Sequence, residues 1–423
     1  LALNLNVAEH CKFDRKQYFY PDLPKNYQIS QFDEPLAENG WLEVEIIEKD
    51  KEPYIKKIGI ERLHMEEDAG KLVHSGSDRL AGSKYSLVDY NRAGIALCEI
   101  VSKPDIRSGK EASEYASEIR RTVRYLGVSD GNMQEGSLRC DVNISVRKGP
   151  NAPFGTKVEI KNMNSFSAIQ KACDYEIARQ IEVYENGGKI FQETRLWDEA
   201  KQLTKSMRLK EGSSDYRYFP DPDLGPIEIT KAQQEIWFKE LPELPSKKRY
   251  KYVSQFGLSA YDARVISDEI SMANFFEETV ANGAEAKLAS NWVTSDIAGY
   301  LKSNKLSFSE LKLSPENLAE MINMISKNII SGKIAKEILP ELIQKNISPK
   351  KLVEEKGLAM ISDSSSISPI IDELINEHPN EVQAFKNGKT KLLGFFVGQL
   401  MKRTKGKADP KLANKLLMEK LNS

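Results

Sequence analysis

The spacing of apolar positions changes along the chain and divides it near Pro242. Before this residue, short runs alternate between apolar and polar side chains and are broken by Gly, Pro and Asn. Leu42, Val44 and Ile46 alternate with glutamates, which is the pattern of a strand with one buried face. Beyond Pro242, apolar residues recur every three or four positions, as in amphipathic helices. The pattern predicts a mixed first half and a helical second half.

Two alternating runs give the clearest strands of the first half. They cover residues 137–147 and 156–162, and each presents one charged face. The clearest helix covers 109–126, where Ser108 and Glu111 predict a capping box. We therefore expect an α+β fold with a mixed or antiparallel sheet.

Prolines mark the predicted elements of the second half. The basic, proline-rich segment 242–252 is typical of a linker, and Pro340 predicts a break or kink in a helix. A second boundary is expected around Gly357 and the serine-rich stretch that follows it. Asp409 and Pro410 have the residue types that cap and open a final helix.

Composition narrows the class of protein. The 61 Lys and Arg residues balance 62 Asp and Glu residues, so the net charge of -1 demands no polyanionic partner. No window reaches the roughly 20 apolar residues that a membrane helix needs. The four cysteines are far apart and form no CxxC pair, which fits a reducing cytoplasm. The chain starts at Leu1 in what looks like the second half of a helix, so we expect an N-terminal truncation.

Several familiar catalytic signatures are absent from the sequence. Gly131 and Gly136 have P-loop spacing, but Ser137 and Leu138 follow where Lys and Ser or Thr are required. There is no GxGxxG, HExxH or GxSxG motif either. A Walker-type nucleotide site, a zinc hydrolase and a serine hydrolase are therefore not predicted.

An acidic run is the first candidate site. Glu66, Glu67 and Asp68 follow one another between Arg62 and Lys71, at the exit of a predicted strand. Adjacent carboxylates repel unless a cation neutralises them, and Mg²⁺ takes one or two carboxylates while it bridges nucleotide phosphates. Taken alone, the run is more typical of a solvated acidic turn.

The charged faces of the two clearest strands are the second candidate. Arg139 lies on one face, and Glu159 and Lys161 lie on the other strand. If the strands pair, carboxylates that hold a metal would lie beside cations that hold phosphate, as phosphoryl transfer requires. The solvent-exposed face of an antiparallel sheet, with ion pairs between neighbouring strands, explains the pattern equally well.

Two further segments carry weaker signals for nucleic acid. Residues 207–226 interleave aromatic and basic side chains, which suits base stacking but more often reflects packing within a domain. Residues 386–423 are locally basic, which suits contact with an RNA backbone and equally a solvated lysine-rich face; the cations are Lys386, Lys389, Lys391, Lys402, Arg403, Lys405, Lys407, Lys411, Lys415 and Lys420.

Several long motifs in order resemble one family. The segments 12–36, 59–71, 86–108, 133–147, 155–166 and 211–224 closely resemble the B subunit of the glutamyl-tRNA(Gln) and aspartyl-tRNA(Asn) amidotransferases. Residues 401–417 resemble the RNA-binding tail of that family. The resemblance covers nearly the whole chain.

The resemblance implies a reaction with ATP and Mg²⁺ in the cytoplasm. Proteins of this kind phosphorylate the side-chain carboxylate of glutamate or aspartate on a misacylated tRNA, and ammonia then displaces phosphate. The amidase A subunit supplies the ammonia from glutamine, and the small C subunit holds the assembly together. An acyl phosphate provides the leaving group that a carboxylate lacks.

The resemblance also assigns residues. The HxEED motif of the family falls on Glu66 and Glu67, with Glu67 as the predicted Mg²⁺ ligand, and the GTKxExKN motif places a second ligand at Glu159. Arg139 and Lys161 are our own candidates for phosphate or carboxylate contacts. The Gly-Leu-Glu-x-His segment of the family is absent, so we expect weak metal binding that the restored segment would strengthen.

By the plan of the family, residues 1–241 form the α+β catalytic domain, 242–356 a helical domain and 357–423 a tail that steadies tRNA. The main alternative is a non-catalytic scaffold that binds tRNA for an activity elsewhere. A free-standing small-molecule kinase is a third possibility, and it would use ATP without tRNA.

Overall fold

The computed structural model describes residues 1–74, 84–209, 215–361, 363–404 and 406–422, and forms two compact units, Leu1–Ser246 and Lys247–Ser423. Part of the predicted aromatic segment, 210–214, and Lys405 of the predicted basic tail lie outside these ranges. The three-domain division with limits at 241 and 356 stays a prediction.

The first unit contains all the named strands. In chain order they are β1 Asn6–Val7, β2 His10–Cys11, β3 Asp14–Gln17, β4 Tyr27–Ser30, β5 Ala37–Ile46, β6 Tyr54–Glu67, β7 Lys71–His74, β8 Ser86–Asp89, β9 Ala96–Ser102, β10 Val142–Ile144, β11 Val158–Lys161, β12 Glu193–Asp198, β13 Leu203–Leu209, β14 Phe219–Pro220 and β15 Ile227–Glu228. Its helices are α1 Gly109–Tyr125, α2 Phe166–Glu185 and α3 Lys231–Glu240.

Two four-stranded sheets form the framework of this unit. The first has the order β1-β5-β6-β9 and is antiparallel throughout. The second has the order β10-β11-β12-β13, with a parallel β11–β12 pair. A small antiparallel sheet, β14-β3-β4, brings the β3–β4 hairpin together with residues two hundred positions later.

Helices α1 and α2 join the two sheets. The inward residues of the first sheet, such as Val44 and Ile58, pack against Ile119 of α1. The same apolar stripe of α1 contributes Ala112 and Ala116, one to two turns earlier, to a core with α2 and with Trp197 of the second sheet. Each sheet thus buries one face against a helix and leaves its other face for polar chemistry.

In its described part, the second unit contains helices and no named strand, with one isolated β-bridge between Ile361 and Ala408. Its α-helices are α4 Pro245–Ser254, α5 Ala260–Ile266, α6 Ile270–Ala281, α7 Ala286–Asn291, α8 Ala298–Asn304, α9 Pro315–Ser326, α10 Gly332–Lys345, α11 Pro349–Glu355, α12 Ser364–Glu377, α13 Pro379–Lys386, α14 Leu392–Arg403 and α15 Pro410–Asn422. A π-helical turn, Trp292–Ile297, and a 3₁₀ turn, Phe308–Glu310, connect some of them.

This unit has two separate apolar cores. One is built by the helices from α4 to α11 and contains Phe276 and Leu318. The other is built by α12 to α15 and contains Phe396 and Leu417. Asp409 accepts backbone hydrogen bonds from Lys411 and Leu412, so the predicted start of the last helix is confirmed.

The predicted strand over 137–147 is much shorter in the structure. Only β10 forms a ladder, with Val142 opposite Ile160. Continuing this antiparallel register would place Cys140 opposite Asn162, whose φ of 71° is left-handed and ends the partner strand. Alternation alone therefore overestimated the strand.

The linker predicted at 242–252 is wrong, a break at Pro340 is excluded while a kink there stays a prediction, and the predicted capping box forms only in part. The segment predicted as a linker contains α4. Proline suits the start of a helix, because the N–H that it lacks would have no partner within the helix there, and burial of Tyr252 holds the helix against the core. Helix α10 runs through Pro340, since apolar packing on both sides of the proline holds it. Ser108 caps α1, but the Glu111 carboxylate accepts from Arg107 instead of completing the box.

The fold class is confirmed. An α+β unit with mixed and antiparallel sheets precedes a helical unit. Within the ranges given above, no helix combines the length and apolar character needed to cross a bilayer.

Candidate functional site

Three polar side chains converge on adjacent strands of the first sheet. Alternation along β6 places His64 and Glu66 on the same face, and the register sets Glu99 of β9 opposite His64. Their ligand atoms all lie within 4.8 Å of one another, and His64 Nε2 is 3.5 Å from Glu66 and 3.7 Å from Glu99. His64 and Glu66 are buried, whereas Glu99 is exposed. We call this group the His64 cluster.

The β3–β4 hairpin holds Glu66 in place. Ser30 Oγ donates a hydrogen bond of 2.8 Å to it, Gln28 donates one of 3.2 Å, and Lys16 Nζ lies 3.7 Å away. Burial by itself raises the pKa of Glu66, but the hydrogen bonds from His64 and Ser30 and the charge of Lys16 outweigh it. The net pKa is lowered, so this buried carboxylate is ionised at neutral pH.

Glu67, the predicted metal ligand, points to different partners. It forms an ion pair with Lys25 and accepts a 2.8 Å hydrogen bond from the backbone amide of Ile29. Among the described residues, the only group of three or more potential metal ligands is the His64 cluster, and Glu67 is outside it. Its role as a ligand stays a prediction.

Arg139 reaches the end of the acidic run. Its Nη2 lies 2.9 Å from Asp68 Oδ1, and Arg92 Nε lies 3.7 Å from the other oxygen. This contact ties the segment before β10 to the exit of β6. Arg139, predicted as a phosphate or carboxylate contact, therefore binds a carboxylate that lies two residues beyond Glu66.

Glu159 and Lys161 lie together on β11, as alternation predicts. Lys161 Nζ is 2.6 Å from Asp141 and 3.4 Å from Glu159, which also accepts a 2.9 Å hydrogen bond from Thr194. Burial lowers the pKa of Lys161, but the hydrogen bond and charge of Asp141 and the charge of Glu159 raise it by more. The net pKa is raised, so the ammonium is retained. Glu67 and Glu159 thus lie on strands of different sheets.

Electrostatic effects on two tyrosines connect these groups. Burial and the charge of Asp22 raise the pKa of Tyr18, and the charge of Lys161 opposes this rise. Burial and the charge of Glu66 raise the pKa of Tyr218 to about 12. Lys161 therefore lies near the hairpin loop that follows β3, and Tyr218 lies near the His64 cluster.

The aromatic segment packs within its own unit. Tyr218 stacks on Phe32 with ring centroids 4.3 Å apart, and Phe219 and Pro220 form β14 against β3. Arg15 lies over the Tyr27 ring and pairs with Asp221. In its described part, the segment therefore builds a wall of the site, which is the interpretation that the sequence favoured.

Sequence reasoning missed His64, Glu99 and the hairpin residues around Glu66. A signal for His64 exists, since a histidine two positions before a glutamate on a strand shares its face. Glu99 is the only charged residue of β9, which marks it as unusual. The convergence itself depends on the register between β6 and β9 and is not visible in local sequence.

Family comparisons cover most of the chain. Residues 1–235 match the GatB/GatE catalytic domain, and residues 274–421 match the GatB domain. The first match contains every residue of the site described above.

Curated relatives are similar over the full chain. The B subunit of the aspartyl/glutamyl-tRNA(Asn/Gln) amidotransferase of Prochlorococcus marinus (strain MIT 9312) is 94% identical over 422 residues, and the alignment covers 100% of this chain and 86% of that protein. Proteins of the same name from Prochlorococcus marinus (strain MIT 9515) and Parasynechococcus marenigrum (strain WH8102) are 86% and 72% identical, with the same two coverages. On this similarity, the chain belongs to the GatB family, the B subunits of aspartyl/glutamyl-tRNA(Asn/Gln) amidotransferases.

Proposed function

We propose that this chain activates the side-chain carboxylate of Glu-tRNA(Gln), Asp-tRNA(Asn) or both by phosphorylation with ATP. Ammonia from glutamine, produced by the amidase A subunit, then displaces phosphate and gives Gln-tRNA(Gln) or Asn-tRNA(Asn). The small C subunit is the third member of the assembly, which works in the cytoplasm. The names of the relatives support the tRNA substrates and the amidotransferase reaction.

The observation that carries the proposal is the separation of charge in the first unit. The His64 cluster presents two carboxylates at one place, while Arg139, which pairs with Asp68, and Lys161 of the second sheet supply cations. Phosphoryl transfer needs this division, because a cation must balance the phosphates and basic side chains must hold the oxygens that gain charge.

The donor set of the His64 cluster fits a divalent cation. Glu66 is ionised, buried and oriented by Ser30, so it can bind a cation without reorganisation. Carboxylate oxygens are the ligands that Mg²⁺ prefers, whereas the imidazole of His64 is a commoner ligand of transition metals. Bound there, Mg²⁺ would neutralise the phosphates of ATP. Glu67 and Glu159, the ligands implied by the family motifs, remain proposed ligands.

The cations of the chain have separate tasks in this scheme. Lys161 retains its proton and can contact a phosphoryl oxygen or the carboxylate that attacks it. Arg139 is held by Asp68 and can offer its remaining amino groups to the substrate. The carboxylate oxygen of the aminoacyl group attacks the γ-phosphorus and ADP leaves; ammonia then attacks the carbonyl carbon and phosphate leaves.

The lysine-rich helices of the second unit support a contact with tRNA. Lys402, Lys411 and Lys415 are exposed on α14 and α15, around a core that holds these helices together. Contact with phosphates needs only such exposed charge, so we propose that this region steadies the tRNA.

The alternative function is that of a non-catalytic scaffold for tRNA, which the basic helices also suit. Replacing Glu159 with Gln in the chain assembled with its A and C partners separates the two. The kinase function is supported if ADP release in the wild type requires charged tRNA and is lost in Glu159→Gln, while the variant still binds tRNA. Equal ADP release in wild type and variant contradicts the kinase function. ADP release without any tRNA indicates a small-molecule kinase.

A further inference from the structure

A polar cavity lies in the first unit beside the second sheet, and the proposed reaction makes no use of it. Its volume is about 450 Å³, which is within the range of ligand sites. It is lined by the end of α1, the loop before β10 and the start of α2. The α2 side of its wall begins at Asn164, three residues after Lys161.

Two arginines supply positive charge to this cavity. Arg120 and Arg124 project from successive turns of α1, and neither has a carboxylate within 4.0 Å in the described part of the chain. Arg120 Nε is buried and donates no hydrogen bond to any described residue. A buried donor without an acceptor costs free energy, which a bound anion would recover.

The position of Arg120 depends on two neighbours. Its guanidinium lies over the Phe166 ring at 5.8 Å, and its aliphatic stem passes Gly131 so closely that a Cβ there would lie 2.6 Å from Cγ. Gly131 also has a φ of 63°, which only glycine adopts without strain. The loop is therefore shaped to admit the arginine.

The start of α2 adds a second source of positive potential. This helix has 20 residues, and the side chain of its N-cap residue, Ser165, accepts a hydrogen bond from the backbone amide of Ala168. That leaves the preceding amides of the first turn for an external acceptor, with the positive end of the helix dipole behind them. Helix end and arginines face the same cavity.

Asp130 offsets only part of this charge. Its carboxylate accepts a hydrogen bond from the Asn132 amide, which, with the fields of Arg120 and Arg124, lowers its pKa. Two guanidinium groups and a helix N-terminus thus face one carboxylate that is already hydrogen-bonded.

We propose that this cavity binds a phosphodiester of the substrate tRNA, with Arg120, Arg124 and the first amides of α2 as its donors. The inference rests on the proposed function, because it assumes that the substrate is RNA. Met133 and Phe166 provide apolar surface for the adjoining nucleoside, and Asn132 and Asn164 provide amides for its edge.

A metal-free phosphodiester suits the cavity better than the triphosphate of ATP. Nucleoside triphosphates enter phosphoryl-transfer sites with Mg²⁺, which needs carboxylate ligands. The cavity lining contains one carboxylate, that of Asp130. This carboxylate already accepts a hydrogen bond from the Asn132 amide and interacts with the two arginines.

The test measures binding of labelled tRNA to the chain assembled with its A and C partners, between about 50 and 200 mM salt. Arg124→Gln should weaken binding at low salt by about tenfold and reduce the slope of log K against log salt by between about 0.7 and 0.9. Arg124→Lys keeps the charge and should keep the slope. Lys171→Gln is the matched control, because Lys171 is an exposed cation of α2 outside the cavity.

Arg120→Gln provides a second variant with the same expectation, and thermal unfolding checks that both variants fold. Wild-type binding with unchanged slopes in both variants would overturn this inference and leave the proposed function intact. A higher KM for ATP with unchanged tRNA binding would assign the cavity to the nucleotide. Failure of the variants to assemble with the A and C partners would assign it to a protein interface. Each of these results contradicts the inference. A wild-type complex that does not bind tRNA would overturn both proposals.

Discussion

Glu66 is a charged residue in a position where strands usually bury apolar side chains. Its burial is tolerated because Ser30, Gln28 and His64 satisfy the carboxylate and Lys16 lies nearby. None of these partners is close in sequence except His64, so the hairpin has to form before the carboxylate is compensated. The arrangement holds a negative charge in a fixed position, as a cation site requires.

Replacement of Glu66 by Gln keeps the shape of the side chain and removes its charge. We expect Mg²⁺ affinity, measured by calorimetry, and the rate of tRNA-dependent ADP release to fall by about a hundredfold. Glu61→Gln is the control, because Glu61 is an exposed residue of the same strand. Unchanged affinity in Glu66→Gln would show that the His64 cluster is not the metal site.

At this scale, the sequence predicted the residue types better than their partners. Alternation placed Glu159 and Lys161 on one face, and the structure has them 3.4 Å apart. The contact between Arg139 and Asp68 crosses from one sheet region to another. Such contacts depend on tertiary packing, which no local pattern encodes.

The two helices between the sheets are the elements that hold the first unit together. Gly109, at the start of α1, lies against α2: its amide donates to Asp174, and a Cβ added to it would collide with the backbone carbonyl of Gln170. Close approach of the helices therefore requires a residue without a side chain.

Gly109→Ala should destabilise the protein by about 1–3 kcal/mol, because one backbone has to move away from the other. Gly299→Ala in α8 is the matched control, since nothing lies within 4 Å of its added Cβ. That substitution should stabilise by about 0.5–1 kcal/mol through helix propensity. Equal free energies of unfolding for the two variants would argue against the close helix contact.

Glu277 of α6 ties α4 to the helical core. It accepts hydrogen bonds from Lys248 at 2.7 Å, Lys251 at 2.9 Å and Tyr252 at 2.9 Å. Burial alone raises its pKa, but these three donors lower it overall. A lowered pKa in the folded state means that the stabilisation is present above the ordinary carboxylate pKa and is lost as pH falls through the folded-state pKa.

Glu277→Gln should therefore lower the free energy of unfolding at neutral pH by about 1–3 kcal/mol and reduce its fall at acidic pH. Denaturant titrations at several pH values measure both effects. Glu337→Gln, on the exposed side of α10, should change neither. A stability difference between wild type and Glu277→Gln that persists at low pH would contradict the assignment.

Element boundaries were predictable where capping residues mark them, as at Asp409. They were less predictable where the outcome depends on packing. Pro245 and Pro340 both lie in helices because neighbouring apolar side chains are buried there. The strand at 137–147 is short because its partner ends at Asn162, a constraint that is set by another segment.

At the scale of the whole molecule, the two units have different kinds of surface. The first carries the buried carboxylate and its cations, and the second carries exposed lysines over separate apolar cores. The change from alternating to helical spacing predicted this order of α+β and helical parts. The pairing of strands from distant segments, such as β14 with β3, was not predictable from spacing.

Replacing Lys402, Lys411 and Lys415 with Gln tests the role of the second unit. If they contact tRNA phosphates, the KM for tRNA should rise by at least about tenfold with little change in the KM for ATP. Three exposed lysines of the preceding helical part, changed to Gln, form the charge-matched control; they are Lys302, Lys312 and Lys333. Equal effects of the two sets would point to general electrostatics instead of a tRNA contact.

Our central proposal is that this chain forms an acyl phosphate on the tRNA-bound amino acid. The most direct measurement mixes the assembled enzyme with ATP, Mg²⁺ and Glu-tRNA(Gln), without glutamine, and adds hydroxylamine to trap the activated carboxylate. We expect the side-chain (γ-) hydroxamate of glutamate and ADP in equal amounts, both dependent on charged tRNA and both lost in Glu66→Gln; the α-hydroxamate that hydroxylamine forms from the aminoacyl ester without ATP is counted separately. ADP without γ-hydroxamate, or γ-hydroxamate that persists in the variant, would contradict the proposal.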